Sequence, residues 1–269
     1  MHAKILLVLV LTSFTAGRMS AQGERQVQTV PIGDRETRVL EFDELKYPLI
    51  AQYAPSESEG VEVFRVKLDD QGRVVEAEPL SGNDLLIPDC LANLKKWHFQ
   101  PNAKKTAIIV YDLRVSPGEC HSASSVFSFR QPNLAVVTGC FPLDLGRTSE
   151  FARLQRSHFV SNSDIRVIHL SNQLKYPSLA RQARDEGVVV LELTLNDKGA
   201  VANVLPLSGL PILIEACSAN AKNWQFQANS ERTVVLVYNF SLVIDDPGQV
   251  FFQPPNLVTI TNSPIPAQP

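Results

Sequence analysis

The chain contains one unit written twice. The tetrapeptide LKYP occurs at Leu45–Pro48 and again at Leu174–Pro177. The stretches EGVEVFRVKLDDQGRVVEAEPLSG, from Glu59, and EGVVVLELTLNDKGAVANVLPLSG, from Glu186, then run in step. A shift of 127 positions aligns Glu59–Tyr111 with Glu186–Tyr238 without a gap, and 25 of the 53 aligned pairs are identical. The likeness continues outward, with RVLEFDELKYP against RVIHLSNQLKYP and QPNLAVVTG against PPNLVTITN. Identity at one fixed offset over this length is a duplication. Whatever fold one copy specifies, the chain must specify twice. Each copy has the length of an ordinary small domain, which places the repeats at 35–145 and 160–262.

Within a copy the pattern changes period along the chain. After each YP, LIAQYA or SLARQARDE reads as a short helix with proline tolerated in its first turn. The period then becomes two: Phe64, Val66 and Leu68 share one strand face, as do Leu191, Leu193 and Leu195. DDQG and NDKG set a glycine where a hairpin requires positive φ, and a second strand follows. Leu86, Cys90, Leu94 and Trp97, and likewise Leu213, Cys217, Ala221 and Trp224, fall at spacings of four, four and three, one face of a helix. TAIIVYDLRV and TVVLVYNFSLV are β-branched on both faces, a strand covered on each side. A proline-bent hairpin closes each copy. The expected fold is α+β: two tandem small domains, each an antiparallel sheet with helices on one face, in the order α-β-β-α-β plus an added hairpin.

That order of residues resembles the C-terminal domain of the TonB family, periplasmic proteins whose domain contacts outer-membrane receptors. The carrying residues are Tyr47, Pro48, Gly60, Asp70, Gly72, Val74, Ser81, Gly82, Trp97 and Phe99. They recur as Tyr176, Pro177, Gly187, Asp197, Gly199, Val201, Ser208, Gly209, Trp224 and Phe226. The resemblance covers about 70 residues of each copy and implies a domain that binds protein. It departs from energy-transducing members of the family, whose membrane helix and long proline-rich spacer find no counterpart here; the 18 prolines are scattered.

Lys4, the apolar run ILLVLVL and the small residue Ala21 read as a signal peptide over residues 1–21, so the expected location is the periplasm or outside the cell. The rival, an uncleaved inner-membrane anchor, must work with an apolar run shorter than the ~20 residues that span a bilayer. A net charge of −3 without a basic stripe removes the electrostatic term that drives nucleic-acid binding. Four cysteines suit an oxidising compartment. Cys120 and Cys140 lie where the first copy is longer than the second and are expected to form a local disulfide, whereas Cys90 and Cys217 occupy matching helix positions and are expected to be buried thiols.

No constellation of catalytic or metal-binding side chains stands out. Asp69, Asp70 and Asp197 read as turn residues, because neither turn carries the alternating oxygens and closing Glu of a calcium loop. His98, His121, His158 and His169 lack the i, i+4 spacing of a helical zinc site. Ser81 and Ser208 lack the flanking glycines of a hydrolase elbow and read as turn serines. The expectation is therefore a non-enzymatic protein with no metal and no small-molecule cofactor.

What remains is a backbone surface. A sheet edge accepts an extended peptide as an added strand, and the TonB resemblance places that edge on the third strand, Thr106–Val115 or Thr233–Val243. The hairpin that follows is expected to cover it. This moves the candidate binding residues to Leu134, Val136 and Val137 and to Leu257, Val258 and Ile260. The partner would be a protein or peptide, with an outer-membrane receptor segment as one candidate. Two functions compete: an exported module for protein interaction, or an anchored component of TonB-dependent transport.

Overall fold

The computed structural model describes residues 37–48, 59–116, 122–141, 167–169, 174–227, 232–253 and 256–266. The first copy runs β1 (Val39–Glu41), β2 (Gly60–Leu68), β3 (Val74–Ser81), α1 (Ile87–Leu94), β4 (His98–Phe99), β5 (Thr106–Val115), β6 (Ser124–Arg130) and β7 (Leu134–Cys140). The second runs β8 (Val167–His169), α2 (Ser178–Ala183), β9 (Gly187–Leu195), β10 (Val201–Ser208), α3 (Pro211–Ala221), β11 (Gln225–Phe226), β12 (Thr233–Leu242), β13 (Gln249–Gln253) and β14 (Leu257–Asn262). The helix expected over LIAQYA and the signal peptide at 1–21 lie outside the described residues.

The hairpins form where the turn chemistry asks for them. Asp69 Oδ1 accepts the backbone N–H groups of Gln71 and Arg73, both at 2.9 Å. Asn196 does the same for Lys198 and Ala200 at 2.9 and 3.0 Å. These Asx turns hold the chain reversed. Gly72 closes the first turn with φ +83°, and a Cβ there would lie 1.9 Å from the Phe99 carbonyl oxygen. Only glycine permits both that conformation and that approach.

Each copy builds a five-stranded sheet, in the order β3-β2-β5-β7-β6 and β10-β9-β12-β14-β13. All pairings are antiparallel except β5 with β7 and β12 with β14, which run parallel from Val110↔Leu134 and Val237↔Leu257. The helix covers one face. Phe64, Val66, Cys90, Leu94, Trp97, Ile109 and Tyr111 form the first core, and Leu191, Leu193, Cys217, Ala221, Trp224, Leu236 and Tyr238 form the second. Cys90 and Cys217 are free and fully buried, as their helix position requires. Burial pushes both thiols up, away from the reactive thiolate form.

A polar triad that the sequence reading did not anticipate sits inside each core. Asn93 Oδ1 accepts the Trp97 Nε1–H at 2.9 Å and the Tyr111 O–H at 2.7 Å. Asn220 Oδ1 accepts the Trp224 Nε1–H and the Tyr238 O–H, each at 2.9 Å. One carbonyl oxygen with two lone pairs thus satisfies both aromatic donors. The signal was present in the sequence, since asparagine precedes tryptophan by four residues in both copies.

The opposite faces of the two sheets pack on each other. Val61, Val63, Ile108, Val110 and Leu134 of the first sheet form one buried cluster with Val188, Val190, Val235, Val237 and Leu257 of the second. This second layer explains why β5 and β12 are apolar on both faces: Ile109 and Tyr111 face the helix, while Ile108 and Val110 face the other sheet.

Candidate strand-accepting edges

The site is built from hydrogen-bonding ladders rather than from side-chain chemistry. β5 bonds β2 on one side and β7 on the other, so the edge that the TonB resemblance assigns to binding is already filled by the chain's own strand. Its cover is integral to the fold, because Ala135 and Val137 of β7 are fully buried in the first core. The second copy is closed the same way, with Val258 and Ile260 of β14 buried in its core.

The strands expected to become the new edge are therefore interior. Leu134, Val136 and Val137 lie on β7, which is paired with β5 and β6, and Leu257, Val258 and Ile260 lie on β14, paired with β12 and β13. Leu134 and Leu257 face the opposite sheet, and Val137, Val258 and Ile260 face the helix side. With both ladders used, these six residues present no edge to a partner. The expectation failed because it took the returning strand as the outer one. A parallel pairing needs a crossover before the chain can come back beside β5, so the first strand of the added hairpin is carried one place further out.

The outermost strands are β6 and β3 in the first sheet and β13 and β10 in the second. Their chemistry differs. On β3, Pro79 lacks an N–H, Glu78 is paired with Arg65 at 3.1 Å and Glu76 with Lys67 at 2.8 Å, and the ladder to β2 shifts register twice. On β10, Pro206 takes the equivalent place and the ladder to β9 also shifts twice. Proline, charge and bulges are the devices by which proteins blunt an edge. β6, SSVFSFR with its one charge at Arg130, and β13, QVFFQ, contain no proline, and both pair with their neighbours without a register shift. Val126 is 66% exposed, Val250 42% and Phe251 50%. The inner positions fix these strands in place: Phe127 and Phe129 lie within 5.5 and 5.2 Å of the Phe42 ring, and Phe252 meets Trp224 edge-on at 5.6 Å.

Ser81 and Ser208 are not turn serines. They end β3 and β10 in full burial and accept hydrogen bonds from the opposite repeat: Asn256 Nδ2–H to Ser81 Oγ at 3.1 Å, and Asn133 Nδ2–H to Ser208 Oγ at 2.9 Å. A polar cleft of about 350 Å³ opens on the seam between the repeats, lined among others by Arg130, Leu134, Glu186, Gly187 and Asn239. Arg130 Nη1 donates across it to Ser241 Oγ at 3.4 Å. Of the two cysteines expected to pair, Cys140 ends β7 and Cys120 lies outside the described residues.

Two five-stranded sheets, each closed on one side by its own hairpin, pack back to back and leave β6 and β13 as regular outer strands. Residues 172–242 match the family model described as Gram-negative bacterial TonB protein C-terminal, so the second repeat is similar to a TonB C-terminal domain over that span. The first repeat builds a similar sheet outside that match. No curated protein and no solved structure matches the chain.

Proposed function

We propose that the chain is an exported, non-catalytic protein-interaction module that takes extended segments of protein partners as added strands on β6 and β13. The observation that carries this reading is the contrast between edges: Ser124–Arg130 and Gln249–Gln253 contain no proline and pair without a register shift, whereas β3 and β10 are interrupted by proline and bulges. Backbone pairing supplies affinity without a constellation of reactive side chains. Two such edges on one chain raise apparent affinity by ~10² or more for a partner that offers two segments. An outer-membrane receptor segment belongs to the partner class that the TonB match over 172–242 supports.

Photo-crosslinkers placed at Val126 and Phe251, with Val75 on the opposite edge as the comparison, test the reading in the native host envelope. Capture at Val126 and Phe251 of a segment whose alternate residues crosslink is the expected result, and Val126→Lys or Phe251→Lys should abolish it with the fold intact. Capture at Val75 alone, or none, overturns it.

The second reading, an anchored component of TonB-dependent transport, draws on the match over 172–242. N-terminal sequencing separates the two: a mature start near Gln22 supports the exported module, and Met1 retained in the membrane fraction supports the anchored component.

A further inference from the structure

We infer that the sheet face carrying Val63 and Val190 is a self-complementary association surface whose occupant is a second copy of the same repeat, so that this chain is a dimer made covalent. The inference is independent of the edges β6 and β13, which the face leaves open.

A two-fold interface has a signature that no other contact produces: residue i of one side meets j of the other, and j meets i. The two repeats show it. Asn133 of the first donates to Ser208 of the second at 2.9 Å, and Asn256 of the second donates to Ser81 of the first at 3.1 Å. Ser81 and Ser208 both stand in LSG, and Asn133 and Asn256 both stand in PNL. Each asparagine is aimed by the same backbone bond, Val110 N–H to the Asn133 carbonyl and Val237 N–H to the Asn256 carbonyl, both 2.9 Å.

The apolar part follows the same rule. The buried cluster takes five residues from each sheet, and they are five equivalent pairs: Val61 with Val188, Val63 with Val190, Ile108 with Val235, Val110 with Val237, and Leu134 with Leu257. Four of the five pairs are identical in type. A head-to-tail contact would use two different surfaces and would let them diverge. Here both sides of the contact are the same surface; beside the apolar cluster the first repeat carries Asp112, buried and ion-paired with Arg114, where the second has the neutral Asn239. An isolated repeat would expose this face as a continuous apolar patch, which soluble monomers rarely carry.

The test uses the full chain with a specific protease site inserted between residues 142 and 166. After cleavage in the folded state, light and isotopically heavy preparations are mixed and examined by native mass spectrometry. The expected result is that the halves remain paired and that exchange yields first–first and second–second pairs beside first–second pairs. Only first–second pairs, or halves that separate, overturns the inference. In the intact chain, Asn133→Ala should speed amide exchange around Ser208, and Asn256→Ala around Ser81, each by about tenfold, the effect of leaving one buried hydroxyl without its donor. Matching effects support a two-fold surface, and an effect at one seam alone overturns it.

Discussion

Glu62 accepts the backbone N–H of Asn83 at 2.7 Å from the core side of β2, where the second repeat has Val189. Gly82 makes room for the carboxyl, since a Cβ there would lie 1.6 Å from Glu62 Oε2. Its other oxygen, Oε1, has no hydrogen-bond partner among the described residues. Burial pushes the carboxyl up to about 8, with Asp84 adding to the rise and the Asn83 N–H opposing it.

A carboxyl whose folded value lies above its unfolded value of 4.5 binds more protons in the folded state between 4.5 and about 8. Stability is therefore greatest below this window and falls as pH rises through it. Urea midpoints measured from pH 5 to 9 should decline for the wild type, with a total loss on the order of a few kcal/mol. Glu62→Gln, and Glu62→Val after the second repeat, should flatten the slope and be more stable than the wild type at pH 9. An unchanged slope would remove Glu62 as its source.

The Trp–Asn–Tyr triads predict a cost out of proportion to the volume lost. Asn220→Ala leaves the Trp224 Nε1–H and the Tyr238 O–H buried without their shared acceptor. Each unsatisfied donor costs about 1–3 kcal/mol. Asn220→Leu fills the space and should not recover the loss, whereas Asn220→Asp, which keeps an acceptor oxygen, should recover part of it. Chemical denaturation of the three variants decides the point.

The cysteines should sort into two chemical classes. Cys90 and Cys217, both fully buried, are expected to resist alkylation in the folded protein and to react once denaturant is added. Cys120 and Cys140 are proposed to be linked to each other, closing a loop of about 20 residues that stabilises the chain by ~3 kcal/mol at most on the chain-entropy account. Peptide mapping without reductant should recover that linked pair, and alkylatable thiols at both sites would refute it.

Much of this architecture is local and therefore readable along the chain. The duplication, the Asx turns at Asp69 and Asn196, the period-two strands, and the helix face of Cys90 and Trp97 all depend on neighbours within a few residues. The repeated NxxxW spacing also held the polar triad, visible once the two copies are compared. Three matters were decided only in three dimensions. Hydrophobic alternation is the same for an inner and an outer strand, so the sequence could not say that β7 would lie parallel beside β5 and send β6 to the edge. Residues such as Ile108 and Val110 announce that a second face is covered without naming the cover, and the cover proved to be the other copy of the same face. Ser81 and Ser208 looked like turn residues because a hydroxyl beside glycine usually bonds its own backbone. Their partners, Asn256 and Asn133, stand 175 and 75 residues away, at a distance that only the packing of the two sheets closes.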